Sequence, residues 1–230
     1  MSVVKINWSG GKDSTVSVLK HLERGDICKV VCYIPFFTDD IPLIRKSHYE
    51  FILSTKKKFE DMGATVYIVK GLTYYDFVTH ISKKGKHKGK MFGFPCPQNG
   101  KCGFKRDSKL KALNSVDVGF YDYESIGIAI DEPKRFNNLS DCKRSILVEL
   151  GLTELDCFNI CYKYNVLSPI YSNGNTRDGC ALCYNARSTE LHNWLCDYPN
   201  AYEILVHLQN LVKIYRPERA PLRNHLYFIN

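Results

Sequence analysis

A chain of 230 residues that is 44% hydrophobic and 24% charged has the composition of a globular protein able to bury one substantial core. No apolar run approaches the length that spans a bilayer, and the N-terminus lacks the basic start and apolar core of a secretory signal, so a cytoplasmic protein with no membrane partner is expected. The net charge is +8, and ten cysteines in such a compartment argue for metal or redox chemistry and buried thiols rather than a disulfide framework.

In chain order, Val3-Val4-Lys5-Ile6-Asn7-Trp8 reads as a strand and residues 16–22 as the helix after it. Residues 28–37 read as a second buried strand ending at Thr38-Asp39-Asp40, with Cys28 and Cys32 on one core-facing side. A helical pattern follows over residues 42–62, carried by Phe51, Ile52, Phe59 and Met62 and stopped by Gly63. Thr65-Val66-Tyr67-Ile68-Val69 is a third strand. The rhythm predicts an α/β fold, a parallel twisted sheet flanked by helices, with ligands at the carboxyl ends of the strands, where the first glycine loop would meet Asp39.

Beyond that, residues 83–103 read as loop and residues 105–113 as helix. Residues 123–130 read as a strand carrying Asp131-Glu132-Pro133-Lys134-Arg135 at its end, either a charged site or an ordinary turn with Pro133 opening a helix. Past Leu139 the pattern is mostly helical to Ile214, broken by a loop over residues 172–178, with Cys142 and Cys196 on helices. These features suggest a nucleotide-binding α/β core over residues 1–139 and a helical part over 140–230, packed as one unit. A basic tail over residues 216–230 closes the chain.

The first turn carries the most chemistry. In Ser9-Gly10-Gly11-Lys12-Asp13-Ser14-Thr15, two glycines permit a tight turn and close backbone approach, and the helix start presents free amides and a positive dipole end. Ser9, Ser14 and Thr15 add hydroxyls, Lys12 a cation, and Asp13 a carboxylate that caps the helix or holds a metal bridging phosphates. The P-loop of nucleoside triphosphatases does not fit, because the upstream glycine is missing and Asp13 follows Lys12.

Two cysteine pairs lie on glycine-containing turns, Cys96 with Cys102 and Cys180 with Cys183. Together they make a four-thiolate site, zinc if purely structural and a four-iron four-sulfur cluster if redox or sulfur chemistry is involved. A rival set pairs Cys157 and Cys161 with Cys180 and Cys183, but the first two stand four apart on a predicted helix beside apolar neighbours, which suits a core face. Residues 83–111 hold ten cationic side chains against Asp107 alone, a local charge of +9 within a total of +8. Such a block attracts nucleotide phosphates, sulfate or a nucleic-acid backbone, tRNA or DNA, or is simply a solvated loop.

The Ser-Gly-Gly-x-Asp-Ser signature at residues 9–14 resembles that of the PP-loop superfamily. Together with the basic stretch after Cys102, the Gly127-Ile128-Ala129-Ile130-Asp131-Glu132 strand end and Ser168-Pro169-Ile170-Tyr171 leading to Gly179-Cys180-Ala181-Leu182-Cys183, it makes the chain similar to the phosphoadenosine phosphosulfate reductase family. The resemblance implies an adenine-nucleotide alpha-hydrolase-like sheet whose Ser9–Ser14 loop holds the phosphates of ATP or the phosphosulfate of an adenylyl sulfate. It also implies an iron–sulfur cluster on Cys96, Cys102, Cys180 and Cys183, although the midway cysteines of such members are adjacent and here stand six apart. Sulfonucleotide reductases carry a nucleophilic cysteine on a C-terminal tail, and residues 216–230 contain none. That shifts the expectation to ATP-dependent adenylylation or sulfur transfer, with sulfonucleotide reduction and a non-catalytic nucleic-acid-binding module as alternatives. Lys12 would then neutralise developing charge, Asp13 or Asp39 would hold Mg2+, and Asp131, Glu132 and Arg135 would have lesser roles. A sulfur or electron donor protein would be a partner.

Overall fold

The computed structural model describes residues 1–95, 102–173 and 179–219. Its strands are β1 (Val3–Trp8), β2 (Ile27–Tyr33), β3 (Thr65–Val69), β4 (Tyr123–Ile126) and β5 (Lys143–Arg144). The helices are α1 (Lys12–Glu23), α2 (Lys46–Asp61), α3 (Tyr74–Thr79), α4 (Lys111–Ser115), α5 (Pro133–Phe136), α6 (Ile146–Glu149), α7 (Glu154–Lys163), α8 (Ser188–Asp197) and α9 (Ala201–Tyr215). The chain forms two units interleaved along the sequence. One comprises Met1–Tyr33, Ser47–Val69 and Val116–Asp178; the other comprises Ile34–Lys46, Lys70–Ser115 and Gly179–Asn230. This division departs from a boundary at residues 139/140, because β4 and β5 belong to one sheet and keep the segments on both sides of that point in the same unit.

The first unit is an α/β layer built on a five-stranded, all-parallel sheet in the order β3-β2-β1-β4-β5. Parallel strands covered on both faces read as near-continuous apolar runs, and the central β1 buries Val4, Ile6 and Trp8. Its register sets Val4 opposite Cys28 and Trp8 opposite Cys32, so both thiols of β2 are core residues, as expected. Helix α1 packs on the sheet and against α6 and α7. With β2 and β3 on one side of β1 and β4 and β5 on the other, the loops after β1 and β4 leave adjacent carboxyl ends at the point where strand order reverses, the place where open α/β sheets bind ligands.

The second unit is held by an aromatic cluster of Phe37, Tyr74, Phe77, Phe94, Phe104 and Trp194. Helix α9 supplies Ala201, Leu205, Leu208 and Val212, spaced along one face at helical period. The Trp194 indole, fully buried, donates to the Pro42 carbonyl at 2.8 Å, satisfying its one polar atom.

Several boundaries differ from the sequence expectations. Strand β2 stops at Tyr33 rather than Phe37, because Phe36 bridges Pro42 and the Phe37 amide donates to Ile41 at 2.7 Å, folding residues 36–42 back on themselves. Helix α2 starts at Lys46 rather than residue 42, where the Asp197 carboxylate accepts from the Lys46 amide at 3.0 Å and from Arg45 Nε at 2.5 Å. Strand β4 ends at Ile126 rather than residue 130, and the predicted helix over residues 105–113 is a π-helical turn, Lys105–Leu110, running into α4. The short strand β5 interrupts the supposed helical stretch, and Cys142 lies in the turn before it rather than on a helix. Among the described residues no helix is long and apolar enough to cross a membrane.

Candidate functional site

The turn between β1 and α1 is shaped by close packing. Gly10 has φ +82°, and a Cβ there would lie 2.6 Å from His48 Cε1 and 2.9 Å from Ile52 Cγ1. Ser14 Oγ donates to the Gly11 carbonyl at 3.0 Å and accepts from the Ser9 amide at 3.1 Å, while the Gly11 amide reaches Ser9 Oγ at 3.3 Å. His48, buried on α2, braces the turn from outside. Its Nε2–H donates to the Ser9 carbonyl at 3.3 Å, which leaves Nδ1 to accept from the Ser168 hydroxyl at 2.8 Å. The Lys12 amide, a first-turn donor with no helical partner, reaches the Tyr171 hydroxyl at 3.3 Å.

Charge converges on the same helix start. Lys12 Nζ lies 3.0 Å from both Asp13 carboxylate oxygens and 3.2 Å from Glu154. Burial opposes the ammonium, but the hydrogen bonds and charges of Asp13 and Glu154 outweigh it and raise the Lys12 pKa. Burial raises the Asp13 carboxyl above its ordinary value, against the pull of Lys12 and with the help of Glu154 and Glu132. Asp13, Glu132 and Glu154 each offer a carboxylate oxygen within 4.8 Å of the other two. Three hard oxygen donors suit Mg2+, and a divalent ion would offset the burial, and the smaller push of Glu154 and Glu132, that raise Asp13.

The strand end after β4 reaches this place through Gly127, where a Cβ would sit 2.5 Å from the Ser14 amide nitrogen and 2.6 Å from the Asp13 carbonyl carbon. Only a residue without a side chain lets that backbone pass so near the first turn of α1. Gly127→Ala is expected to lower the stability by about 1–3 kcal/mol through overpacking against backbone, read as a lower urea midpoint; an unchanged midpoint would remove this contact from the account.

Two residues with expected ligand roles do other work. Thr15 is fully buried and its hydroxyl accepts from Trp8 Nε1 at 3.0 Å, so it ties helix to strand rather than facing the turn. Asp131 is exposed and accepts from the Glu154 amide at 3.1 Å, satisfying a donor at the start of α7. Its neighbour Glu132 is the carboxylate that joins Asp13, and Arg135 binds Glu132 at 2.5 Å from an exposed position on α5. Asp39 is exposed in the turn closed by Phe37 and Ile41 in the second unit, whereas the glycine turn belongs to the first. Sequence reasoning gives His48 and Glu154 no role, and it names Tyr171 only within the Ser168–Tyr171 motif, without a contact to the turn. Their only sequence signals are a polar residue on an apolar helix face, a tyrosine after Ser168-Pro169-Ile170, and an acid in a helix's first turn.

Cysteines fall into two groups. Cys157 and Cys161 on α7 are fully buried, and burial pushes the Cys161 thiol up to about 12 and the Cys157 thiol further; they are core residues, as expected. Cys161 Sγ approaches the Lys12 carbonyl at 3.4 Å, so α7 packs directly on the start of α1. In the second unit, Tyr74 is fully buried and its hydroxyl has no hydrogen-bond partner among the described residues. Burial raises its pKa well above the ordinary value, and Cys180, Cys102 and Cys183 add to the rise in that order, so three of the four expected thiols share its surroundings. Cys96 lies outside the described residues. Zinc bound at 2.3 Å to each sulfur holds its thiolates about 3.8 Å apart, whereas cluster sulfurs sit on separate irons and stand wider. The orphaned hydroxyl beside soft donors fits either group.

No protein-family model and no curated protein matches the chain.

Proposed function

We propose that the chain is a PP-loop adenine-nucleotide enzyme of the phosphoadenosine phosphosulfate reductase type, and that it adenylylates an acceptor from ATP. The supporting observation is the junction of β1 and α1, where a glycine turn with a positive-φ Gly10, first-turn amides, Lys12 and the Asp13–Glu132–Glu154 carboxylates meet at the switch point of the sheet. The first-turn amides and the Ser9 and Ser14 hydroxyls bind the departing phosphates. Lys12, released from Asp13 and Glu154 when the nucleotide enters, balances the charge that grows on the leaving pyrophosphate. Asp13, Glu132 and Glu154 would hold Mg2+, which neutralises phosphate charge when bound. In the reaction an acceptor oxygen bonds to the α-phosphorus, the bond to the β-phosphate oxygen breaks, pyrophosphate leaves and the acceptor proton passes to solvent. The adenylylated acceptor is then open to sulfur or nitrogen delivery with loss of AMP. Cys102, Cys180 and Cys183 would hold an iron–sulfur cluster or zinc, and a sulfur or electron donor protein would meet that chemistry.

Sulfonucleotide reduction is the second reading. Cys196 favours it, since it is exposed on α8 with His192 Nε2 3.7 Å from its sulfur, an arrangement that could serve in place of a tail thiol.

Equilibrium dialysis of radiolabelled ATP and adenylyl sulfate with Mg2+ separates the two. ATP is expected to bind, and Lys12→Ala to weaken it about 10–100-fold, the worth of a charge-assisted hydrogen bond. Tighter binding of adenylyl sulfate than ATP would move the assignment to reduction. Retention of neither nucleotide would end both readings.

A further inference from the structure

The second unit carries its own gathering of cationic side chains. A cavity of about 850 Å³ opens there between three segments distant in sequence. Lys84 and Lys86 line it from the loop after α3, Lys105 and Arg106 from the π-helical turn, and Arg216 and Arg219 from the end of α9 and beyond. No carboxylate belongs to the described lining. The Lys-rich loop alone would be an ordinary solvated segment; the convergence of three segments is not ordinary.

The wall is built rather than incidental. Arg216 is 5% exposed, and its guanidinium donates to the Met91 carbonyl at 2.8 Å, lies 3.3 Å from His87 Nδ1 and pairs with Glu218 at 2.5 Å. Gly93, with φ +69°, passes so near that a Cβ would lie 2.6 Å from Arg219 Cβ. These contacts fix the end of α9 against the loop. His87, on the lining, is held below its ordinary pKa by desolvation and then by Arg216, Lys86, Lys90 and Arg219. Arg106 is paired with Asp107, and Arg216 with Glu218, but Lys84, Lys86, Lys105 and Arg219 form no salt bridge among the described residues.

We propose that this cavity binds the phosphate backbone of a single nucleic-acid strand. These four cations, without a salt bridge among the described residues, reach the cavity from three segments of the chain, which suits successive phosphates better than one compact anion. Exposed Lys83, Lys88 and Lys90 continue the positive surface along the adjoining loop, and Phe92 on the lining offers a ring face for a base. The site takes only part of the basic block over residues 83–111 and adds two arginines from the far end of the chain.

The test is fluorescence anisotropy of the full chain with labelled oligo(dT) and oligo(U) of about twelve nucleotides. Four phosphate contacts to a single strand predict a slope of log K against log salt of about −3. The double substitution Lys84→Glu and Lys105→Glu is expected to weaken binding at least about tenfold at fixed salt, leaving circular dichroism and ATP retention unchanged. Lys57→Glu with Lys163→Glu changes net charge equally at exposed sites in the first unit and is expected to leave affinity within about twofold. Equal weakening by both pairs would mean that total charge alone attracts the strand and would overturn the site. Competition by free AMP or ATP as strong as by an oligonucleotide of equal phosphate concentration would reassign the cavity to small phosphate esters, and no binding of either strand at low salt would remove it. None of these outcomes depends on the function of the glycine turn, which the ATP measurement reads separately.

Discussion

Gly10→Ala is expected to lower the stability by about 2–4 kcal/mol and to abolish nucleotide binding. Two costs combine. An L-residue at φ +82° pays about 1–2 kcal/mol in backbone strain, and the new methyl meets His48 and Ile52 inside 3 Å. His48 cannot step aside cheaply, since Ser168 and Ser9 hold its two nitrogens and Phe51 stacks on its ring with centroids 6.1 Å apart. The turn must therefore shift, carrying the Ser9 and Gly11 groups off the positions proposed to meet phosphates. Gly25 supplies the control, because it has φ +79° with nothing within 4 Å of its missing Cβ. Gly25→Ala should cost the strain alone, about 1–2 kcal/mol, and leave ATP retention intact. Urea titration of the two variants decides the matter: equal midpoints would mean that His48 does not press on the turn.

The second large effect concerns a buried polar network at the other end of α1. Asp26 accepts from the Ser2 amide at 3.0 Å, from Arg24 Nε at 2.7 Å and from His21 Nδ1 at 2.9 Å. His21 Nε2 in turn meets Ser125 Oγ at 2.9 Å, and Ser125 meets Ser17 at 3.1 Å. Ser125, His21 and Asp26 stand in the order of a hydrolase relay, but Ser125 and His21 are fully buried, so no substrate reaches them and the network acts by joining α1 to β4. Asp26→Asn removes the carboxylate that accepts from the Ser2 amide, Arg24 and His21 and is expected to cost about 2–3 kcal/mol, since Arg24 keeps Glu149 as a partner.

Acid should act on the same network in two stages. Burial lowers the His21 pKa, and Asp26 only partly restores it, so the unfolded chain takes up the proton first. Stability is full above the unfolded value of about 6.5 and falls as pH drops below it. Asp26 is held down to about 2 even though burial opposes its charge, because His21, the Ser2 amide and Arg24 all favour the carboxylate. Its share, about 2 kcal/mol, is present above the ordinary aspartate range and disappears as pH falls from there toward 2. Urea midpoints measured across this range should decline in both windows for the native chain, and Asp26→Asn should lose the lower one. A flat profile would show that neither group is perturbed.

The residues that sequence made legible are those whose causes are local. β1, the glycine turn and α1 could be read together because an apolar run, two glycines and a second apolar run are contiguous. Cys157 and Cys161 could be assigned to the core because their i, i+4 spacing and apolar neighbours lie within one short stretch of sequence. Glu132, Glu154, His48 and Tyr171 reach the turn from separate elements, with contacts spanning 39 positions for His48 to 159 for Tyr171, and their own neighbours do not say where they will meet. Asp131 and Glu132 illustrate the limit sharply. Both sit at a charged strand tip, but whether each caps α7 or joins the Asp13 carboxylate depends on which side α7 packs, a tertiary fact. Thr15 failed for the opposite reason: its hydroxyl suited a phosphate, but the Trp8 indole beside it needed an acceptor more. β5, two residues long, has no periodicity to read, and the interleaved units follow from which strands pair rather than from any composition change.

The distribution of thiols gives the protein built-in reporters of local opening. Cys28, Cys32, Cys157 and Cys161 are fully buried and all belong to the sheet-bearing unit. With the Cys28 and Cys161 thiols pushed up to about 12, the reactive thiolate at pH 8 is about one part in ten thousand even before burial blocks access. Cys142 and Cys196 are exposed, so an alkylating reagent reaches their sulfurs directly. Pulsed alkylation followed by peptide mass analysis would therefore mark Cys142 and Cys196 at once and the four core thiols only as that unit opens. The rate at the four sites would time the opening of the sheet without any engineered probe.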